Sequence, residues 1–214
     1  MKYDLVIFDL DGTILDTLED LCDSVNYALG RLGFPQRTLS EVRNFVGNGI
    51  RKLIERALPA GNDEKCVEEM LAIHREYYGV HCADKTKPYE GIKEMLRELK
   101  ARGAKLAVIS NKPDYAVNIL CEDYFPNVFD AAYGFREGIE RKPDPAAVTA
   151  LLEELCVPRE KAVYVGDSEV DVKTAQNAGL DMIIVDWGFR DREFLIENGA
   201  VNLVSAPSQI LERV

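Results

Sequence analysis

The chain has 214 residues, of which 47% are hydrophobic and 29% are charged, and a formal net charge of −11 at pH 7. This composition is typical of a folded globular protein and excludes a largely disordered chain. The acidic balance argues against a nucleic-acid-binding surface, which needs clustered lysine and arginine in excess, and agrees better with a divalent cation as partner.

No segment has the features of a membrane anchor. The sequence contains no run of about 18 apolar residues, and no charged N-terminal segment precedes a long apolar stretch. The five cysteines form no CxxC pair, which favours reduced thiols over disulfides or structural zinc. We therefore expect a cytoplasmic protein that makes no membrane contact.

The first predicted element is a buried strand that begins at Leu5 and ends in two carboxylates, Asp9 and Asp11, before a Gly12-Thr13 turn. Ionised carboxylates beside an apolar core are unfavourable unless a metal or a cation compensates them. Strand side chains alternate between faces, so Asp9 and Asp11 point to the same side just beyond the strand. Ligands bind at this place in open α/β sheets, which favours a functional role over a plain turn.

From Asp16 to about Lys85 the sequence predicts only helices. Apolar residues recur there at helical spacing in three segments that start near Leu18, Ile50 and Val67. We expect a small helical domain of residues 16–85, inserted into a core formed by residues 1–15 and 86–214.

From Pro88 onward, predicted helices and strands alternate. Strands are predicted at residues 105–109, 131–133, 162–165 and 182–185, helices at 91–101, 114–121, 144–155 and 170–178, and a weak strand and helix within 201–211. Such alternation implies right-handed βαβ units. The predicted fold class is therefore α/β, a doubly wound, Rossmann-like parallel sheet with an inserted α-helical domain.

Further polar residues follow the later predicted strands. Ser110 ends one strand, and its hydroxyl could bind a phosphate oxygen or merely cap the next helix. Lys142 lies beside two prolines that fix its loop, although it could be incidental to a helix start. Asp167 and Asp171 are four residues apart at another strand end, where acids also occur as ordinary helix-dipole partners.

Side by side, these strand ends place four carboxylates, a hydroxyl and an ammonium in one pocket. So many carboxylates cannot all ionise together without a cation. Carboxylate oxygens without nearby histidine favour Mg²⁺, and Mg²⁺ in turn pairs with phosphate.

The four motifs DLDGT, SNK, KPDP and GDSEVD, in this order at strand ends, resemble those of the haloacid dehalogenase superfamily of aspartate-nucleophile phosphotransferases. The resemblance covers the whole chain and identifies the inserted helices with the mobile cap of that family. GNGIRKLIERAL in the cap and the late WGFR segment are most similar to phosphoglycolate phosphatases.

The resemblance implies a role for each motif residue. Asp9 would attack phosphorus, and Asp11 would donate and accept the proton. Mg²⁺ would be bound by Asp9, Asp167 and the backbone carbonyl of Asp11, with Asp171 supporting these ligands from behind. The residues implied to stabilise or bind the transferring phosphoryl group are Ser110, Lys142, Gly12, Thr13 and Asn111.

The cap would select the substrate and exclude water, with hinges near residues 16–17 and 84–88. Basic residues outnumber acidic ones between Arg43 and Leu58, which fits a second anionic group on the substrate or simply solvated helix charges. Arg43 and the Gly47-Asn48-Gly49 loop are the expected cap contacts to the substrate.

The resemblance implies a Mg²⁺-dependent phosphatase that hydrolyses a small phosphorylated metabolite, with 2-phosphoglycolate as the first choice. The alternatives are a phosphomutase similar to β-phosphoglucomutase, a pyrophosphatase or a nucleotidase of the same family. A receiver-type phosphoacceptor module is disfavoured because such modules are shorter and have no inserted cap. The oligomeric state stays open.

Overall fold

The computed structural model describes residues 1–214. The strands are β1 (Leu5–Phe8), β2 (Leu15–Asp16), β3 (Lys87–Pro88), β4 (Lys105–Pro113), β5 (Ala131–Phe135), β6 (Ala162–Gly166), β7 (Asp181–Val185) and β8 (Leu203–Val204). The helices are α1 (Leu18–Arg31), α2 (Leu39–Phe45), α3 (Ile50–Ala57), α4 (Glu64–His81), α5 (Ile92–Ala101), α6 (Asp114–Tyr124), α7 (Ala146–Glu154), α8 (Glu169–Ala178), α9 (Arg192–Glu197) and α10 (Pro207–Ile210). None of the helices combines the length and apolar character that a membrane crossing requires.

Six strands form one parallel sheet in the order β5-β4-β1-β6-β7-β8. The central strand β1 pairs with β4 on one side and with β6 on the other, where Leu5 lies opposite Lys105 and Ala162. After β1 the chain adds β4 and β5 on one side of that strand, and it then crosses to the other side and adds β6, β7 and β8. Ligands bind beyond the carboxyl ends of the strands at such a switch point, which here is where Asp9 lies.

Both faces of the sheet are covered by helices. Alternate residues of β1 enter different cores: Val6 and Phe8 belong to the larger core, which also contains the cap side chains, and Leu5 and Ile7 belong to the smaller core with α7 and α8. An apolar run without alternation is explained by this burial on both sides. The predicted doubly wound α/β fold with an inserted helical domain is confirmed.

The inserted helices α1–α4 connect to the sheet through two short strands. β2 and β3 pair antiparallel, with Asp16 opposite Lys87. The buried Asp20 carboxylate accepts hydrogen bonds from the backbone N–H groups of Lys85 and Thr86, at 2.8 to 3.0 Å. The segment that enters the cap and the segment that leaves it are thereby held next to each other. Both lie close to the limits of the predicted cap, residues 16–85, and these exact limits stay a prediction.

Besides β2 and β3, which the sequence does not predict, the structure differs from the sequence predictions in three further elements. Strand β4 continues through Pro113, because it pairs with β5 again after a register shift beyond Ile109. Helices α2 and α9 were not predicted, because they have seven and six residues and too few apolar side chains for a clear period. The Thr38–Glu41 capping box that begins α2 is the sequence signal that would have revealed it.

Candidate active site

Three carboxylates meet at the carboxyl end of the central strands. Asp9 follows β1, Asp167 follows β6 and Asp171 lies in the first turn of α8. One carboxylate oxygen from each lies within 4.8 Å of the others, and all three side chains are buried. Carboxylate oxygens are the ligands of hard divalent cations such as Mg²⁺, and the hydrogen bonds of each carboxylate decide which of the three could bind one.

The protonation of this cluster also favours a cation as its ligand. Burial raises the pKa of Asp9 to about 7, although the nearby Lys142 ammonium opposes the shift. Burial, together with the charges of Asp171 and Asp9, raises the pKa of Asp167 to about 8. A divalent cation would supply the positive charge that these carboxylates need to ionise at neutral pH.

Lys142 is held by two carboxylates. Its ammonium lies 2.8 Å from an oxygen of Asp9 and 2.8 Å from an oxygen of Asp171. The Asp171 carboxylate also accepts hydrogen bonds from the Ser168 hydroxyl at 2.6 Å and the Tyr164 hydroxyl at 3.3 Å. Asp171 is therefore occupied by protein donors and positions Lys142 against Asp9.

Asp167 is fixed by the turn that follows β1 and by the segment after β7. It accepts hydrogen bonds from the Phe189 backbone N–H at 2.7 Å and from the Thr13 hydroxyl at 3.1 Å. Gly12 has a φ of +82°, and a Cβ at this position would lie 2.3 Å from an Asp167 oxygen. A glycine is required here, because a side chain would be strained and would displace the carboxylate.

Asp11 belongs to a second hydrogen-bond network, which reaches into the cap. Its carboxylate accepts hydrogen bonds from the Lys112 ammonium at 2.8 Å and the Thr17 hydroxyl at 2.7 Å. Lys112 also donates to the hydroxyl of Tyr78 on α4, at 2.6 Å. Although burial acts in the opposite direction, Asp11 and Tyr78 raise the pKa of Lys112 above its ordinary value.

A cavity of about 70 Å³ separates these groups from the cap. Asp9, Asp11, Ser110 and Lys142 form part of its wall on the sheet side. On the cap side the wall consists of Leu21, Val46, Gly47, Gly49, Ile50, Leu53, Leu71, His74, Arg75 and Tyr78. An anion that entered this space would meet an ammonium and a hydroxyl, and the carboxylates beside it could hold a cation.

Asn111 joins the two halves of the cavity. Its side-chain amide donates hydrogen bonds to the Gly47 carbonyl of the cap and to the Lys142 carbonyl of the core, both at 3.1 Å. Arg190 adds two further links, because its guanidinium donates to the carbonyls of Arg43 at 3.0 Å and Val46 at 2.7 Å. The cap is therefore closed over the sheet.

The structure brings together most of the residues that the motifs predict. Those that line the cavity are Asp9, Asp11, Ser110, Asn111, Lys142, Asp167, Gly47 and Gly49. Gly12, Thr13 and Asp171 lie immediately behind them, in contact with Asp167 or Lys142.

The predicted cap contacts Arg43 and Asn48 do not line the cavity. Arg43 pairs with Asp191 at 3.0 Å, and the Asn48 side chain accepts a hydrogen bond from Arg56 at 2.7 Å. The other basic residues of this stretch, Arg51 and Lys52, pair with glutamates of the cap itself. No basic residue between Arg43 and Leu58 is therefore placed to hold a second anionic group.

The cavity residues that the sequence analysis does not indicate include Tyr78, His74, Arg75, Lys112 and Arg190. Lys112 directly follows Asn111 in the SNK motif, and Arg190 ends the WGFR segment. Both residues therefore belong to sequence motifs that indicate the site. Tyr78 and His74 lie at positions of α4 that helical periodicity assigns to packing, and only the fold shows that this face covers the site.

Known proteins resemble this chain over most of its length. A phosphoglycolate phosphatase of Pseudomonas putida is 36% identical over 191 residues, which cover 86% of this chain and 70% of that protein. The crystal structure of a protein from Lactobacillus delbrueckii subsp. bulgaricus, provisionally assigned as a phosphoglycolate phosphatase, has a TM-score of 0.94 and 38% identity, and covers 100% of this chain and 98% of that chain.

A third similarity is to a structure with a ligand. A mutant of CbbY from Rhodobacter sphaeroides, in complex with xylulose-(1,5)bisphosphate, is 25% identical, has a TM-score of 0.75, and covers 97% of this chain and 96% of that chain. A family model described as haloacid dehalogenase-like hydrolase matches residues 6–185. With its motifs at the ends of β1, β4 and β6 and its helical cap, the chain belongs to the haloacid dehalogenase-like hydrolases.

Proposed function

We propose that this phosphatase hydrolyses a small phosphate monoester, most specifically 2-phosphoglycolate, through a phosphorylated Asp9 and with Mg²⁺. The observation that carries the proposal is the cavity between sheet and cap in which Asp9 lies beside Lys142, Ser110 and Asp167. The curated relatives named phosphoglycolate phosphatase support the choice of substrate.

Asp9 is oriented for nucleophilic attack. Its Oδ1 accepts hydrogen bonds from the Leu10 backbone N–H at 2.7 Å and from Lys142 at 2.8 Å. These contacts fix the carboxylate, and Oδ2 has no protein hydrogen bond. In the proposed first step Oδ2 forms a bond to phosphorus while the bond to the leaving alkoxide oxygen breaks.

Asp11 is the group placed to move the proton. In the first step it would protonate the leaving oxygen. In the second it would accept a proton from water while the water oxygen bonds to phosphorus and the bond between phosphorus and Asp9 Oδ2 breaks, which releases phosphate and restores the carboxylate. Lys112 and Thr17 hold its carboxylate, and Lys112 is itself held by Tyr78 of the cap. The proton transfer therefore depends in part on a cap residue.

We infer that Asp9, Asp167 and the backbone carbonyl of Asp11 would hold a divalent cation, as the motif resemblance implies. Asp171 is excluded from the set, because Lys142, Ser168 and Tyr164 already occupy its oxygens. When bound, Mg²⁺ supplies positive charge that offsets the negative charge of the phosphoryl oxygens. Lys142 and the Ser110 hydroxyl would contribute to the same charge balance from the protein.

Metal removal should abolish activity. After dialysis against EDTA, phosphate release from 2-phosphoglycolate is expected to fall to background and to return with Mg²⁺, because nothing else neutralises Asp9, Asp167 and the phosphate together. Affinity for Mg²⁺ should weaken from pH 8 to pH 6, since protons compete for carboxylates whose pKa values are raised. Full activity in EDTA would contradict the metal assignment.

A substrate panel decides the remaining alternatives. Phosphate release is measured from 2-phosphoglycolate, a hexose phosphate, a nucleoside monophosphate, pyrophosphate and xylulose-1,5-bisphosphate. We expect the highest kcat/KM for 2-phosphoglycolate, because the curated relatives that resemble this chain are named phosphoglycolate phosphatases. Preferred turnover of pyrophosphate or a nucleotide would replace the substrate, and isomerisation of a sugar phosphate without phosphate release would show a mutase.

Replacing Tyr78 by phenylalanine should weaken the network around Asp11. The variant keeps the buried ring but leaves the Lys112 ammonium without one hydrogen bond, which should cost about 1.5 to 3 kcal/mol of stability. We expect kcat to fall about tenfold, because Lys112 then holds Asp11 less firmly.

The matched control is Tyr77→Phe on the same helix, whose ring stacks between Tyr27 and His81 outside the cavity. Urea unfolding and steady-state kinetics are measured on both variants. A kcat unchanged in Tyr78→Phe would show that Lys112 orients Asp11 without the cap.

A further inference from the structure

Two adjacent residues of α4 line the cavity without a protein partner. The His74 side chain is 2% exposed, and its Nε2 has no hydrogen bond. Nearly all buried polar atoms in folded proteins find a partner, and an unsatisfied one lowers stability. An unpaired imidazole nitrogen in the wall of an active-site cavity indicates a partner that arrives with the ligand.

Arg75, the next residue, is the unpaired cation of the cavity. Three other lysine and arginine side chains line the same space, and each has a carboxylate partner: Lys112 with Asp11, Lys142 with Asp9 and Arg190 with Glu169. Arg75 forms no ion pair with any residue of the chain, although acidic residues outnumber basic ones by 37 to 26. Its charge is therefore available to a ligand.

The chemistry of the pair selects an anionic group that accepts hydrogen bonds. Burial, and to a lesser extent the charge of Lys112, lower the pKa of His74 to about 3, so the ring is neutral at pH 7 and can donate one hydrogen bond. A guanidinium matches the two oxygens of a carboxylate. Since both residues line the same cavity, a carboxylate bound there could accept a hydrogen bond from each.

The rest of the cap wall excludes a polyol. It is formed largely by apolar side chains, Leu21, Val46, Ile50, Leu53 and Leu71, and the Tyr78 hydroxyl is already engaged by Lys112. The hydroxyls of a sugar phosphate would lose water there without gaining partners. A short phosphate ester whose only other polar group is an anion avoids this cost.

We propose that His74 and Arg75 form the subsite that binds the carboxylate of a short phosphorylated hydroxy acid, and that this pair selects the substrate. The proposal rests on the proposed phosphatase function and adds the residues that determine specificity. His74 and Arg75 take the role that the sequence analysis gave to Arg43 and the basic residues of α3, because those residues pair with other side chains of the protein.

The test compares 2-phosphoglycolate with ethyl phosphate, which has the same two-carbon chain but no carboxylate, in the wild type, His74→Phe and Arg75→Gln. We expect kcat/KM for 2-phosphoglycolate to fall about 10- to 100-fold through KM in each variant, and kcat/KM for ethyl phosphate to stay within about threefold. His74→Gln, which keeps an N–H donor, should recover part of the loss. Parallel losses on both substrates, or no loss on 2-phosphoglycolate, would overturn the proposal.

Folding does not obscure this result. Arg75 is exposed and unpaired, so Arg75→Gln should melt like the wild type, and His74→Phe removes an unsatisfied nitrogen and should melt no lower. The wild type separates the two proposals. If it hydrolyses neither ester, the proposed function fails; if it hydrolyses both equally well, the carboxylate subsite fails while the phosphatase chemistry stands.

Discussion

Replacing Asp9 by asparagine is expected to lower kcat by about four orders of magnitude or more, because the amide cannot form a bond to phosphorus. The same change should leave the protein at least as stable as the wild type. Asp9 is a buried carboxylate whose pKa is raised to about 7, and Lys142 keeps its pair with Asp171 when that charge is removed. Phosphate release and urea unfolding measure the two effects.

The matched control is Asp130→Asn, at the opposite end of the sheet. Asp130 accepts a hydrogen bond from the Leu106 backbone N–H at 2.8 Å and pairs with Lys100. Its replacement should lower stability and leave kcat unchanged, which is the reverse of the pattern expected for Asp9→Asn. An Asp9→Asn variant with more than about a hundredth of wild-type kcat would show that another group attacks phosphorus.

Replacing Lys142 by methionine should be the most destabilising single change in the site. It leaves Asp9 and Asp171 buried and close together without the ammonium that lies 2.8 Å from each. Removing one partner from a buried ion pair costs about 3 to 5 kcal/mol. We also expect kcat to fall at least about 100-fold, since the phosphoryl oxygens lose their protein cation.

The loss of stability in Lys142→Met should depend on pH in a defined direction. Without Lys142, burial keeps the pKa of Asp9 above its unfolded value, so the folded state binds protons more tightly than the unfolded state. The destabilisation should therefore be larger at pH 8 than at pH 5.5, as measured by urea unfolding without metal. Equal losses at both pH values would mean that the lost lysine packing, rather than the unpaired charge, causes the effect.

A second substitution separates the effect of the unpaired charge on stability from the effect of Lys142 on catalysis. Adding Asp171→Asn to Lys142→Met should recover stability, because one of the two unpaired carboxylates is removed, but it should not recover kcat. Lys105→Met, at an exposed lysine, is the control for loss of a lysine side chain. Recovered activity in the double variant would exclude Lys142 from the chemistry.

The sheet could be predicted because its signals are local. The apolar run of β1 and the alternation of helix and strand after Pro88 predict parallel strands buried on both faces, as observed. Right-handed connections limit the possible strand orders, but the observed order is known only from the structure. The end of β4 could not be predicted, because its continuation to Pro113 depends on pairing with β5 across a register shift.

The core half of the site was predictable for a related reason. Asp9 and Asp167 each follow a strand directly, Ser110 lies near the end of β4, and the carboxyl ends of parallel strands meet at one edge. The cap half was not. Whether Arg43 or His74 faces the cavity depends on how α2 and α4 pack over the sheet, and helical spacing gives His74 the same appearance as a packing residue.

The most direct test of the account is to trap the phosphorylated residue. Enzyme, Mg²⁺ and 2-phosphoglycolate labelled with ³²P are mixed, quenched in acid within a single turnover, and the digested protein is analysed after borohydride reduction. We predict one hydroxylamine-sensitive label per chain, with homoserine in place of Asp9 after reduction. Release of labelled phosphate with no label on the protein at any time, or a label on another residue, would contradict the role of Asp9.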